Sequence, residues 1–307
     1  MKKRLFPLLC LVVTGFLLYR LWAGPEETTL PVSEYYAYDR QMPLDDSVRP
    51  VTDTTAYDLY YVTYRSVHDR QVTALLSVPV GRERPLPVVL LLHGLGDRKT
   101  VDYVEAGNRY FLDAGYAVMR IDICCHGDRK TQEWEFDLTG PNRYRTREMM
   151  SQTVFDLRRA LDFLATRPEV DTSRIGFFGI SLGGIIGTIF CGVDDRVRVP
   201  VIVLAGGRMN LMFGKKALSK ETRNYLSIID PINFVQMISP RPLLMINAEH
   251  DDIVPPITSR LLYRKARKPK RIIWYDARHH TLPINKAYPA AISWFETWMP
   301  PDTKQGN

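Results

Sequence analysis

Short apolar runs alternate with helical patterns along most of this chain, and no other feature of the sequence constrains the fold as strongly. Strands that are apolar throughout are typical of a parallel sheet covered on both faces. One intervening segment, 150–164, places its apolar residues three and four positions apart, as on one face of a helix, and 287–298 repeats the pattern. The six runs lie at residues 88–92, 116–121, 174–178, 199–204, 243–247 and 271–275. The sequence therefore predicts an α/β fold with a mostly parallel central sheet and helices on both faces.

Two further segments, 56–64 and 72–80, are rich in Tyr, Val and Leu and predict an antiparallel pair of strands ahead of the parallel sheet. We expect one catalytic domain over residues 52–299 and a short tail over 300–307. Residues 24–51 hold several prolines without a sustained period, which favours a linker. Residues 206–240 lack a clear strand, so they form either a small cap over the site or a segment packed against the sheet.

The N-terminus combines positive charge with an apolar run. Lys2, Lys3 and Arg4 precede the apolar residues 5–19, an arrangement typical of an export or anchoring signal. We expect residues 1–23 to form a transmembrane signal anchor that holds an exported catalytic domain at the membrane, on the periplasmic or extracellular side. The alternative is a cleaved signal peptide and a secreted protein. The formal net charge is +7, and these three residues with Arg20 supply four positive charges, so the remainder does not indicate nucleic-acid binding.

The four cysteines do not form a recognisable cluster. Cys10, Cys124, Cys125 and Cys191 match neither a zinc site nor a disulfide framework. A bridge between Cys124 and Cys125 would need strained local geometry, and buried thiols are the simpler interpretation. We therefore predict no metal.

The segment Gly179-Ile-Ser181-Leu-Gly183 lies between an apolar run and the predicted start of a helix. A serine on such a sharp strand-to-helix turn is exposed as a nucleophile, and the turn needs neighbours without bulk. Gly179 and Gly183 meet that need. The Leu182 N–H, at the start of the helix, is a candidate oxyanion donor. The loop His93-Gly94-Leu95-Gly96 offers the Leu95 N–H as a second donor, with His93 as a structural residue.

A serine nucleophile needs a histidine base and an orienting carboxylate from elsewhere in the chain. Asp251 and Asp252 follow one predicted strand, and His279 and His280 follow the next. Both pairs therefore lie just beyond the carboxyl ends of strands, where open α/β sheets bind ligands. The spacing from Tyr275 at the strand end favours His279 as the base, whereas the spacing back from Pro283 favours His280.

Four segments together resemble the α/β-hydrolase superfamily, in particular its dienelactone hydrolase and acetyl xylan esterase branch. They are 93–96, 179–184, 251–255 and 280–283. The resemblance implies an α/β-hydrolase fold, a Ser-Asp-His triad and no cofactor. It assigns the acid to Asp251 and, through the His-Thr-Leu-Pro segment, the base to His280 with His279 as the alternative.

The sequence also departs from this pattern at two places. Cys124-Cys125 stands where the branch commonly has Arg-Gly, and Arg278 stands where a Gly often precedes the base. The function expected from the resemblance is hydrolysis of a small-molecule carboxylic ester through an acyl-enzyme at Ser181. The alternatives are a serine peptidase and a non-catalytic binding protein on a hydrolase fold.

Overall fold

A nine-stranded sheet forms the centre of the described part of the chain. The structure is a computed structural model that describes residues 31–53, 55–131, 135–212 and 220–301. The sheet order is β1-β2-β3-β5-β4-β6-β7-β8-β9, antiparallel from β1 to β5 and parallel from there on. The strands are β1 (Ser47–Asp53), β2 (Tyr57–Arg65), β3 (Gln71–Pro79), β4 (Leu86–Leu92), β5 (Ala117–Ile121), β6 (Val170–Ile180), β7 (Val199–Val203), β8 (Leu243–Ala248) and β9 (Lys270–Tyr275). The predicted α/β fold and its antiparallel pair are confirmed.

Helices cover both faces of the sheet. Alternate residues of β4 face opposite layers: Leu90 joins the cluster that includes α2 and α3, whereas Leu91 joins the cluster that includes α1 and α6. All seven residues of β4 are buried, which explains why its sequence is apolar without alternation. The helices in the described residues are α1 (Asp102–Asp113), α2 (Arg143–Leu164), α3 (Leu182–Val193), α4 (Lys220–Leu226), α5 (Pro256–Lys265) and α6 (Ile284–Trp298).

The predicted linker is wrong for residues 32–51, which belong to the folded domain. Tyr36 is fully buried in the main core, and its hydroxyl donates to Ile228 O at 2.6 Å. Pro50, one of the prolines that suggested a tether, lies in the edge strand β1, where a missing backbone N–H is tolerated. The register of β1 against β2 shifts between Pro50 and Thr52.

The segment 206–240 is described only in part. Phe234, Val235 and Ile238 are buried in the main core, and Phe234 lies against Gly192 near the end of α3. This part of the segment packs against the sheet layer, which was the second of the two alternatives predicted for it. Residues 213–219 lie outside the described residues, so a cap formed by them stays a prediction.

In the four described ranges, no helix is long and apolar enough to cross a membrane. The predicted anchor, residues 1–23, lies outside those ranges and stays a prediction, as do residues 24–30 of the linker and 302–307 of the tail.

Candidate active site

Ser181 occupies a strained turn between β6 and α3. Its backbone angles are φ 55° and ψ −119°, in a region that residues with a side chain rarely adopt. The turn is held to the sheet because the Ser181 N–H donates to Val203 O of β7 at 2.9 Å. A Cβ on Gly179 would lie 2.4 Å from Gly183 O, and a Cβ on Gly183 would lie 2.4 Å from His93 O. The structure therefore requires both glycines that the sequence singled out.

His279 connects the serine to a carboxylate. Its Nε2 lies 2.9 Å from Ser181 Oγ, and its Nδ1 lies 2.9 Å from both carboxylate oxygens of Asp251. His279 and Asp251 are buried, whereas Ser181 is half-buried and reachable. With Nδ1–H donating to Asp251, Nε2 is left to accept the serine proton.

His280 does not reach this chain of hydrogen bonds, and its assignment as the partner of Ser181 is corrected to His279. The two histidines belong to a short 3-10 helix, His279–Thr281, which is closed by a hydrogen bond from the Arg278 N–H to Thr281 Oγ1 at 2.9 Å. This turn directs His279 inward and leaves His280 exposed, with the two rings nearly perpendicular at 81°.

Asp251, rather than its neighbour Asp252, faces His279. One Asp251 oxygen accepts the N–H groups of Ile253 and Val254 at 2.9 and 2.7 Å, so the turn after β8 orients the carboxylate. Asp252 is exposed and pairs instead with Arg278 at 3.4 Å.

His93 is structural, as the sequence predicts. The imidazole is fully buried: Nδ1 donates to Gly94 O at 2.7 Å, and Nε2 accepts the Ile123 N–H at 3.0 Å. Desolvation by burial lowers the pKa of His93 to about 4, so the ring is neutral near pH 7. His93 thereby ties the loop after β4 to the loop after β5.

The two predicted oxyanion donors lie at the start of α3 and in the loop after β4. Leu182 is the first residue of α3, so its N–H has no acceptor within the helix and points from the positive end of the helix dipole. Leu95 follows Gly94, and a Cβ on Gly94 would lie 3.5 Å from the Ser181 Cβ. The loop that carries Leu95 therefore lies against the serine.

Tyr103, which no sequence motif singles out, supports that loop. Its hydroxyl oxygen accepts the Gly94 N–H at 2.8 Å and its proton goes to Asp97 Oδ2 at 2.7 Å. Burial and the bond to Asp97 raise the pKa of Tyr103 well above its usual value, so the hydroxyl keeps the proton that it donates. Gly94 and Tyr103 are nine positions apart in the sequence, and no motif links them.

Comparison with known proteins agrees with this architecture. Residues 32–204, more than half of the chain, match the acetyl xylan esterase family model; the match includes Ser181 and ends before Asp251 and His279. An acetyl xylan esterase of Paenibacillus sp. R4 superposes with a TM-score of 0.73 at 23% identity, covering 90% of this chain and 97% of its own. Acetyl xylan esterase 1 of Thermoanaerobacterium sp. JW/SL YS485 gives 0.70 at 17% identity, covering 86% and 92%. At these identities the superpositions show the fold.

Two relatives align by sequence over only part of their own length. YtaP of Bacillus subtilis, designated a hydrolase, is 26% identical over 58% of this chain and 64% of its own. The acetyl esterase Axe7A of Xylanibacter ruminicola is 22% identical over 74% of this chain and 56% of its own. The chain thus spans less than two thirds of either relative. The family match and the superposed folds lead to one conclusion: this chain belongs to the acetyl xylan esterase family, in the α/β-hydrolase superfamily.

Proposed function

We propose that this protein hydrolyses carboxylic esters through a Ser181–His279–Asp251 triad. The observation that carries the proposal is the continuous set of hydrogen bonds from Ser181 Oγ through the His279 ring to Asp251, with 2.9 Å on each side of the imidazole. These residue types in this order are the parts that acyl transfer needs: a nucleophile, a base and a group that orients the base.

The proposed reaction begins when Ser181 Oγ attacks the ester carbonyl and His279 Nε2 takes its proton. Asp251 stabilises the imidazolium that forms, because its carboxylate already lies on the Nδ1 side. The Leu95 and Leu182 N–H groups hold the oxyanion of the tetrahedral intermediate. The proton then passes from His279 to the departing alkoxide, and water attacks the acyl-enzyme by the reverse sequence. No step calls for a cofactor.

An acetyl ester is the substrate that we propose first. The family is named for acetyl xylan esterases, and the Xylanibacter relative is named an acetyl esterase. These names support a short acyl chain on a sugar alcohol.

The proposal is tested by comparing kcat/KM on acetyl, butyryl, octanoyl and lauroyl esters of p-nitrophenol, together with an acetylated xylo-oligosaccharide. We expect the acetyl esters to react fastest, and we expect Ser181→Ala to lower kcat/KM by about 10⁴-fold or more with the fold unchanged. Peptide p-nitroanilides belong in the same panel, and preferential turnover of these would favour the peptidase alternative. If folded wild-type protein hydrolyses no ester, the proposal fails and a binding role becomes the better account.

We further propose that residues 1–23 anchor the protein in a membrane with the catalytic domain exported. The support is the sequence alone, three positive charges followed by the apolar residues 5–19. N-terminal sequencing of protein from the membrane fraction should begin at or near Met1. A sequence that begins near Gly24 would instead indicate cleavage and secretion.

A further inference from the structure

The loop that follows β5 holds two adjacent thiols in contact. Cys124 Sγ and Cys125 Sγ are 3.7 Å apart; Cys124 is buried and Cys125 is half-buried. Successive side chains of an extended segment point in opposite directions, so adjacent thiols normally lie apart. Here Cys125 has a φ of +64°, and this left-handed conformation turns the second thiol back toward the first.

Both ends of this loop are fastened by one buried carboxylate. Asp122 accepts the N–H of Lys99 at 2.8 Å and the N–H of Asp128 at 3.1 Å, and Lys99 Nζ lies 2.5 Å from it. Gly127 is packed so closely against Asp122 that a Cβ would lie 2.2 Å from the carboxylate. Because the ends are held, the two thiols stay side by side, and any change between them must be taken up by the middle of the loop.

One of the thiols is prepared to react. The contact with the Cys124 thiol stabilises a thiolate at Cys125, and the nearby guanidinium groups of Arg129 and Arg70 add to this effect. The pKa of Cys125 is thereby lowered to about 7, against the opposing effects of burial and Glu148. The same contact and burial raise the pKa of Cys124. Since the thiolate is the nucleophile in thiol–disulfide exchange, Cys125 attacks first.

The middle of the loop is also bonded to the candidate active site. The Ile123 N–H, next to Cys124, donates to His93 Nε2 at 3.0 Å, and the His126 ring lies 5.6 Å from the His93 ring. His93 is followed by Gly94, whose backbone lies against Ser181. A distortion at Cys124 therefore acts on the loop that carries the Leu95 oxyanion donor.

We propose that Cys124 and Cys125 form a dithiol site that a small-molecule disulfide oxidises to a bridge between them, and that the bridge slows hydrolysis at Ser181. The second half of this inference rests on the proposed ester hydrolysis. The Cys125 thiolate attacks one sulfur of the disulfide, which forms a mixed disulfide and expels a thiolate. Cys124 then attacks Cys125 Sγ, forms the bridge and expels the second thiolate. The two cysteine protons pass to the two expelled thiolates, which leave as thiols, so one disulfide is reduced as one is formed.

Formation of the bridge requires the loop to move, and the bridge that results is strained and therefore reversible. The sulfur atoms must approach from 3.7 Å to about 2.05 Å. Adjacent Cα atoms are about 3.8 Å apart, closer than in ordinary bridges, so the bridge is strained and easily reduced. Labile bridges of this kind are the regulatory ones, in contrast to structural disulfides.

The test uses the full chain with Cys10→Ser, so that the thiol outside the described residues does not contribute. Reduced protein is incubated with oxidised glutathione, and the products are analysed by intact mass and by peptide mapping without reduction. Cys125→Ser is the variant that cannot close. Cys191→Ser is the matched control, because Cys191 is fully buried elsewhere in the core. Acetyl-ester turnover is measured before oxidation, after it and after reduction.

We expect the parent chain and Cys191→Ser to lose about 2 Da, the mass of two hydrogens, with a Cys124–Cys125 bridge in the peptide map. Turnover should fall on the order of tenfold and return on reduction, because small displacements of an oxyanion loop are costly. Cys125→Ser should neither close nor lose activity. Free thiols at both Cys124 and Cys125 in the oxidised parent chain, or a stable glutathione adduct on Cys125, would overturn the inference.

A bridge that leaves turnover unchanged would overturn the link to the active site. If the reduced chain hydrolyses no ester, the proposed function fails while the dithiol remains testable by mass. Hydrogen exchange of the peptide that contains His93 and Gly94 then measures the link directly. We expect faster exchange in the bridged form, and unchanged exchange would contradict the link.

Discussion

The two segments that meet at the candidate active site differ in how firmly the sequence determines them. At the elbow, backbone oxygens lie within 2.4 Å of where a Cβ on Gly179 or Gly183 would be, so only one register of the turn fits and Ser181 is unambiguous. In the loop after β9, both neighbouring histidines could follow the strand. Only the short 3-10 helix His279–Thr281 decides that His279 faces inward.

This difference shows that a sequence motif identifies a residue reliably only where packing fixes the spacing of the motif. A motif whose spacing is imposed by close packing identifies its residue directly, because any other residue would collide. A motif on an exposed loop identifies a neighbourhood, and a single hydrogen bond such as Arg278 N–H to Thr281 Oγ1 determines which side chain is used.

The histidine pair gives the sharpest contrast. His279→Ala should lower ester turnover by about 10⁴-fold, close to the effect of removing Ser181, because triad members act as a unit. His280→Ala should change it by less than about fivefold, since an exposed side chain without a bond to Ser181 or Asp251 makes no comparable contribution. Steady-state kinetics of both variants on one acetyl ester measure this. The reverse ranking would restore the assignment made from Pro283.

The aspartate pair tests which carboxylate orients the base. Asp251→Asn should lower kcat by roughly 10³-fold, because the amide cannot hold His279 in the required tautomer as the carboxylate does. Asp252→Asn is the matched control and should be near wild type, since Asp252 is exposed and pairs with Arg278. Equal losses in the two variants would contradict the assignment of the acid.

Gly183→Ala tests the packing that determines the elbow. The new methyl would overlap His93 O, and the backbone on both sides has no flexible end that could yield. We expect a loss of about 3 kcal/mol or more in the free energy of unfolding, measured by urea denaturation. Gly81→Ala is the control: φ there is also positive, at 71°, but nothing lies within 4 Å of the added Cβ. Its cost should be about 1 kcal/mol.

Tyr103→Phe should have the smallest effect of the four. It removes the acceptor of the Gly94 N–H and so loosens the loop that carries Leu95. We expect kcat to fall about tenfold with KM nearly unchanged, since a hydrogen bond of this kind contributes about 1 kcal/mol. Tyr116→Phe is matched, because its buried hydroxyl makes only a 3.4 Å contact to Met299 O. A rise in KM alone would assign Tyr103 to substrate binding instead.

Much of the fold follows from the sequence, and the misses have physical causes. Each parallel strand appears as an apolar run because burial on both faces excludes polar residues. The strand β1 escaped notice because an edge strand tolerates Pro50 and needs little apolar surface. Tyr36 is hydrogen-bonded to Ile228, which lies 192 positions further along the chain, and no local sequence pattern predicts such a contact.

The residues of the candidate site also fall into a predictable and an unpredictable group. Ser181, Asp251 and the structural role of His93 follow from segments at strand ends, whereas the Tyr103–Gly94 bond and the inward turn of His279 depend on tertiary geometry. The positive φ of Cys125 was equally hidden, because cysteine stands where the branch commonly has glycine.

Covalent labelling by a fluorophosphonate tests the proposed triad most directly. The labelling rate is measured for each variant, and the labelled residue is identified by peptide mass. A fluorophosphonate reacts with a serine only when a base activates it. We predict a single adduct on Ser181, formed at similar rates in wild type and His280→Ala and about 10³-fold more slowly in His279→Ala. An adduct on another serine, or equal labelling rates in wild type and His279→Ala, would contradict a triad of Ser181, His279 and Asp251.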